Sequence, residues 1–328
     1  MRAAWYEKQG PARDVLVVGE MPDPRPAAGE VRIRIAASGI NPGDIKKRQD
    51  AFGYGMAYPR VIPHSDGAGQ VDQVGEGVSS QWIGRSVWCY GAQSYRPFGT
   101  AAEFAVVPLD HVAPLPAGVA PDQGACLGIP GITAHRAVHV GGAVAGLTIL
   151  VQGAGGAVGI CAVQLARHAG ARVIGTVRSS TEEPLARTAG AHDVILNDQT
   201  LVERVKALAP GGIDHIVEVA FGANIDDDVE MLKMGGSIGA YATDSATPKI
   251  PFWQLVFKNI RVFCLGSDDF PTEAKVAATR DLNDALHAGW PGFEIGERVP
   301  PELVSSASPR AKFKTSRTPL PKTRPEPR

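Results

Sequence analysis

The stretch from Leu147 to His168 constrains the fold most. An apolar run, Leu147-Thr-Ile-Leu-Val151, enters a turn containing Gly153, Gly156 and Gly159 and passes straight into a helical run. Glycines let a backbone turn tightly and come close to a ligand, and the first-turn N–H groups of a helix present partial positive charge to an anion. Gly170 stops the helix, and Ala171-Arg-Val-Ile-Gly-Thr-Val177 reads as a second buried strand. Together these segments form a βαβ unit of about 30 residues, the arrangement that seats a dinucleotide pyrophosphate. Gly153, Gly156, Val158 and Gly159 are the candidate contacts.

An NAD-type site places an Asp or Glu near the end of the second strand, where it bonds the ribose hydroxyls. This chain offers Thr176-Val-Arg178-Ser179-Ser180 instead. A carboxylate would repel a 2′-phosphate, whereas the guanidinium of Arg178 and the hydroxyl of Ser179 can bond it with charge assistance. NADPH is therefore the expected cofactor. Glu182 and Glu183 follow closely, so the preference rests mainly on Arg178, whose other reading is a solvated residue at a strand end.

The 328 residues are 44% hydrophobic and carry a formal net charge of -1, so a sizeable core is expected. Nothing in that charge favours nucleic acid or an anionic membrane as the main partner, and a small-molecule substrate fits better. The first residues show neither an apolar signal core nor a cleavage-like site, and no apolar run approaches the ~20 residues of a membrane span. A cytoplasmic protein is expected. Cys89, Cys126, Cys161 and Cys264 are widely separated and form no C-x-x-C pair, which suggests buried apolar thiols rather than disulfides or a cysteine zinc site. His135 and His139 are spaced to share a helix face, but no third ligand is evident nearby and no metal site is assigned.

Up to about residue 121 the chain is rich in glycine, proline and alternating runs such as Val31-Arg-Ile-Arg-Ile35, Gly69 to Val74 and Ala102 to Val107, the pattern of antiparallel β structure. From 122 the texture changes to strands alternating with helices. Asp193–Leu196, Ile213–Val219, Gly236–Tyr241 and Ile260–Leu265 read as further strands, with helices at Leu201–Leu208 and near Asp227–Lys233. The result is an α/β class, a six-strand doubly wound parallel sheet over 122–266 behind a β-rich domain over 1–121. Thr272 to Ala288 reads as an amphipathic helix. Beyond Pro300 the chain is basic, proline-rich and poor in apolar residues, so the tail 300–328 is expected to be disordered.

Gly39-Ile-Asn41-Pro-Gly-Asp44, Val61-Ile-Pro-His-Ser-Asp66-Gly-Ala-Gly69, Gly99-Thr-Ala-Ala-Glu103-Phe, Gly131-Ile-Thr133-Ala and the Gly153–Gly159 turn, in this order and spacing, carry a resemblance. From Met1 to about Val299 the chain resembles the zinc-independent quinone oxidoreductase branch of the medium-chain dehydrogenase/reductase superfamily, the branch that includes zeta-crystallin. The resemblance implies a GroES-like catalytic domain, a Rossmann domain, a return of the chain to the catalytic domain over 267–299, an active site in the cleft between the domains and commonly a homodimer. It also implies a closing helix and strand, neither of which the pattern after Pro300 shows.

Zinc members of this superfamily place a Cys where this chain has Asn41 and a His where it has Ser65, and the four-cysteine structural lobe is missing. A pocket without that Lewis acid suits a conjugated acceptor, a quinone or enone, in which developing charge delocalises onto oxygen. Asn41 and Asp44 are candidates to hold a substrate oxygen or join a proton path, although Asn-Pro-Gly-Asp is also an ordinary turn. Tyr54 and Tyr58 lie in a glycine-rich aromatic segment suited to stack on a flat ring. Thr133 resembles a residue facing the nicotinamide, and Gly239, Ala240 and Tyr241 are placed near its ribose. His64-Ser65-Asp66 reads as a structural turn rather than a triad. The leading expectation is an NADPH-dependent quinone or enone reductase. A reductase of alkenals or enoyl thioesters, or a non-catalytic NADPH-binding structural or RNA-binding protein, stands beside it.

Overall fold

The structure, a computed structural model, describes residues 1–293, 295–300, 304 and 316–319. In the N-terminal part β1 (Arg2–Trp5), α1 (Ala12–Val15) and β2 (Val17–Glu20) precede a longer antiparallel set. That set comprises β3 (Glu30–Gly39), α2 (Pro42–Arg48), β4 (Asp66–Val74), β5 (Ser86–Cys89), β6 (Phe104–Pro108) and β7 (Val112–Pro114). β3 pairs with β4 and β6, β4 with β5, and β5 with β7. Period-two alternation sends Val31, Ile33 and Ile35 inward, where they meet Val71, Val87 and Val107. Their neighbour Arg32 chelates Asp72 at 2.9 and 2.8 Å and lies over the Phe104 ring, so its burial leaves no unpaired charge.

Two helices, α3 (Pro121–Gly124) and α4 (Gly128–His139), lead to alternating strands and helices. These are β8 (Thr148–Val151), α5 (Ala157–His168), β9 (Arg172–Val177), α6 (Glu183–Thr188), β10 (Asp193–Leu196), α7 (Leu201–Leu208), β11 (Ile213–Glu218), α8 (Phe221–Met231), β12 (Leu232–Ala240), α9 (Phe252–Phe257), β13 (Arg261–Cys264) and α10 (Thr272–His287). The six strands run parallel in the order β10-β9-β8-β11-β12-β13. This is the doubly wound order in which the winding reverses between β8 and β11, and ligands bind at the carboxyl ends of the strands there. Both sheet faces are covered, which is why Ile149, Leu150, Val173, Ile174, Ile216 and Val217 form continuous apolar runs rather than an alternation. The expected α/β class, with a parallel Rossmann sheet and a separate antiparallel one, is the observed fold.

The chain divides into two compact units, Met1–Ile129 with the described residues from Gly292 onward, and Pro130–Pro291. The division falls within α4, where the sequence texture placed it at 121/122. α10 belongs to the second unit, and the chain rejoins the first only from Gly292. The remaining strands are β14 (Glu297–Arg298) and β15 (Ser316–Pro319), and β15 pairs antiparallel with Ala37–Gly39 of β3. The expectation that no strand follows Pro300 is corrected at these four residues, and the rest of the tail expected to be disordered lies outside the described residues, Pro300 and Val304 excepted. Among the described residues no helix is long and apolar enough to cross a membrane.

Candidate functional site

The turn after β8 is built by steric necessity. Gly153 has φ +70, and its N–H donates to Thr176 Oγ1 at 3.1 Å. At Gly159 a Cβ would collide with the Gly153 carbonyl oxygen and come 2.8 Å from Ala154 Cα, so only glycine lets α5 start this close to the turn. At Gly175 a Cβ would lie 2.7 Å from Ala154 Cβ, which presses the turn onto β9. Gly156 is the N-cap of α5, and no side chain caps that helix. Its leading N–H groups, including those of Val158 and Gly159, thus present partial positive charge at the reversal point of the sheet.

Beneath the turn lies a buried polar chain. Gln152 Nε2 donates to Asp228 Oδ1 at 3.0 Å, and Thr176 Oγ1 donates to Gln152 Oε1 at 2.7 Å. Glu218, at the end of β11, accepts from the Ala220 N–H and from Asn224 Nδ2. Gln152, Thr176, Glu218 and Asp228 are all buried. Asp228 Oδ2 accepts no N–H and faces the Glu218 carboxyl. Burial pushes both carboxyls above their usual range, most strongly Asp228, whose ionisation the Glu218 charge also opposes, while the hydrogen bond from Asp228 favours the ionised form of Glu218. One proton shared across the pair satisfies two facing acceptors. Sequence reasoning missed this pair; the signal was Glu218 directly after the buried Ile216-Val217 run.

Arg178 and Ser179 lie at the end of β9, as expected, but both are engaged. Arg178 pairs with Glu182 through its backbone N–H at 3.0 Å and its guanidinium at 3.2 Å, and Ser179 shares a 2.7 Å hydrogen bond with Thr181. Thr133 is buried on α4. A Cβ at Gly239 would lie 2.6 Å from the Ala137 carbonyl, so this glycine admits α4 against β12, and the Ala240 side chain joins the sheet core. The Tyr241 N–H donates to the Glu218 carbonyl at 3.1 Å, and burial, helped by Glu218, pushes its phenol up.

In the first unit, Asn41 opens α2 and Asp44 accepts its backbone N–H at 2.7 Å. The Asn41 amide donates to Asp66 Oδ2 at 2.7 Å, and the same carboxyl accepts the Ile129 N–H at 2.9 Å. Asn41, Asp44 and Asp66 are buried, and burial raises the Asp66 carboxyl well above its usual range. His64 adopts φ +77, Nδ1 meets Ser38 Oγ at 2.9 Å, and burial lowers the ring to about 3. Ser38 in turn bonds Thr100 at 2.8 Å, so His64 serves a structural network. Tyr54 is 88% exposed with its ring stacked on Phe52, and the Tyr58 hydroxyl donates to the Tyr95 carbonyl at 2.5 Å. Cys89, Cys126 and Cys161 are buried thiols outside any disulfide, and Cys264 is an exposed one.

Two family descriptions match in succession: alcohol dehydrogenase GroES-like domain over residues 27–117 and zinc-binding dehydrogenase over 157–279. Quinone oxidoreductase of Mus musculus is 36% identical over 292 residues, covering 87% of this chain and 86% of the mouse protein. The Rattus norvegicus quinone oxidoreductase is 32% identical over 291 residues, covering 87% and 85%. The chain belongs to the quinone oxidoreductase branch of the medium-chain dehydrogenase/reductases. As a member of that branch it is an oxidoreductase. An alcohol dehydrogenase superfamily protein from Novosphingobium aromaticivorans superposes with a TM-score of 0.85 at 25% identity, covering 98% of this chain and 100% of that one. A mycobacterial protein complexed with NADPH shares the fold at a TM-score of 0.80 and 23% identity, covering 98% and 100%.

Proposed function

We propose that the protein is an NADPH-dependent reductase of quinones and other conjugated carbonyl compounds, working without catalytic zinc. The turn at Gly153–Gly159 carries the reading. It is a tight turn that any Cβ at Gly159 would force away from α5, and it leads into a helix terminus without a side-chain cap. The residues that would hold NADPH are Gly153, Gly156, Val158 and Gly159 at the pyrophosphate, with Arg178 and Ser179 at the 2′-phosphate. Thr133, Gly239, Ala240 and Tyr241 fall to the nicotinamide side. When bound, NADPH supplies a hydride to the acceptor.

The chain's own groups then hold and polarise. A conjugated acceptor spreads the incoming charge onto an oxygen, which needs hydrogen bonds and a proton rather than a Lewis acid. Asn41 is the candidate to meet that oxygen, with Asp44 fixing its backbone. Tyr54, exposed and already stacked on Phe52, offers a face to a flat ring, while the Tyr58 hydroxyl is committed to the Tyr95 carbonyl. The donor set at the zinc position of relatives does not fit the metal. Asn41 offers a neutral amide in place of a thiolate, with one of its two amide hydrogens on Asp66 and the other left for the acceptor, Ser65 stands in place of an imidazole, and His64 turns Nδ1 to Ser38.

The same reading makes the protein a cytoplasmic homodimer. Supporting the dimer, α9 exposes Phe252, Trp253 and Phe257 beside β13, the last strand of the parallel sheet. The test is NADPH and NADH oxidation with a panel of quinones, alkenals and simple alcohols, before and after chelation. Quinone-dependent NADPH oxidation that survives chelation is expected. Turnover of alcohols alone, or loss of turnover on chelation, would overturn it, and faster turnover of alkenals would move the assignment to double-bond reduction.

A further inference from the structure

His135 and His139 stand one turn apart on α4, and the chain brings Asp281 of α10 up to them. His135 Nε2 lies 3.0 Å from Asp281 Oδ2, the two imidazole centroids are 4.6 Å apart, and one ligand atom from each of the three residues falls within 4.8 Å of the others. The two helices are held close at this point. At Gly131 of α4 a Cβ would come 2.5 Å from Leu282 Cδ1, so Leu282 packs directly on the α4 backbone there.

We propose that His135, His139 and Asp281 form a binding site for a borderline divalent transition ion, Zn²⁺ first, that clips α4 to α10. A tetrahedral ion with bonds of about 2.0–2.2 Å separates its ligand atoms by about 3.3 Å. The His135–Asp281 edge already has nearly that length, and His139 closes the third corner by moving about 1.5 Å or less. Two imidazoles and one carboxylate are the donor set that such ions take up, with water completing the shell on the side where His139 and Asp281 reach solvent.

The protonation states suit a ligand role. Burial lowers both imidazoles, His139 to about 4, and hydrogen bonds from His135 and Arg280 keep the Asp281 carboxyl below its usual range despite burial. At neutral pH both rings are neutral and Asp281 is an anion, so uptake needs only the shift of the His135 proton from Nε2 to Nδ1, with no net proton release. Arg280 Nε holds Asp281 Oδ1 at 2.9 Å, which leaves Oδ2 turned to the histidines. Arg136, Arg280 and His215 are the other titratable groups felt here; burial keeps His215 neutral, and the charge of the two arginines sets an upper limit on affinity. The site stands apart from the nucleotide turn and owes nothing to that assignment.

The test uses untagged, chelator-treated full-length protein carrying Cys264→Ser, which removes the exposed thiol as a competing ligand. Zn²⁺ is titrated by calorimetry, and Co²⁺ is followed by its visible d–d absorption. One ion per chain is expected, with four- or five-coordinate Co²⁺ bands, at least tenfold weaker binding in His139→Ala and Asp281→Asn, and a melting temperature that Zn²⁺ raises only in the unsubstituted site. No stoichiometric uptake would overturn the proposal and leave an interhelical His–Asp hydrogen bond. Uptake unchanged in a folded His139→Ala or Asp281→Asn chain would overturn it equally. Should both variants fail to fold, the Co²⁺ spectrum decides, since a spectrum of six-coordinate hydrated ion rules the site out.

Discussion

On the proposed function, Arg178 is the residue that would discriminate NADPH from NADH, and Glu182 holds it. The guanidinium can turn to a 2′-phosphate only by leaving a carboxylate that also accepts the Arg178 backbone N–H. Glu182→Gln keeps an acceptor for that N–H and removes the charge. It should lower the KM for NADPH several-fold with little effect on NADH, and Arg178→Ala should raise the NADPH KM about tenfold, the scale of one charge-assisted hydrogen bond. Equal effects on the two coenzymes in initial-rate measurements would remove the 2′-phosphate assignment. The position of Arg178 directly after β9 was legible in the sequence, from the apolar strand that precedes it. That the Asn41 amide donates to Asp66 was not, because a partner 25 residues away leaves no local signature.

Elements with undiluted patterns were legible nearly to their ends. Asp193–Leu196 and Leu201–Leu208 are observed as read, and α10 ends one residue early. α8 was placed too late, since Gly222, Asn224 and three consecutive aspartates disguise the four-residue spacing of Phe221, Ile225 and Val229. One of those aspartates, Asp228, is turned into the fold, where it joins β11, β8 and β9 through Glu218, Gln152 and Thr176. Because folding raises both carboxyls above their usual 4.5 and 3.8, the folded state binds more protons than the unfolded chain. The pair's contribution is therefore full below the ordinary carboxyl range and declines as pH rises through the folded value. Asp228→Asn keeps both hydrogen-bonding edges and needs no shared proton. In denaturant titrations at stepped pH its stability should gain on the parent by up to about 1.4 kcal/mol per pH unit across that window. Parallel curves would mean that the pair does not share a proton.

At the scale of the molecule, the sheet order followed from the alternation of strands and helices, while the division into units did not. A helix that begins in one unit and continues in the other shows no change of composition at the boundary. The contact between His135 and Asp281 was equally hidden, because 146 residues separate them. The sheet ends at β13 beside Trp253 and Phe257, which are 63% and 70% exposed. Mass measurement in solution should find two chains, and Trp253→Glu with Phe257→Asp should yield one chain while leaving the melting temperature of each unit largely unchanged. A parent that runs as a single chain would refute the dimer.

The placement of sulfur gives the chain a built-in reporter. Three thiols are sealed in the interior, and Cys264 alone is open to solvent, on the outermost strand of the parallel sheet. A maleimide dye should therefore tag each native polypeptide once without prior mutagenesis, and its rate of attachment would register whether that rim is shielded by another copy or bare.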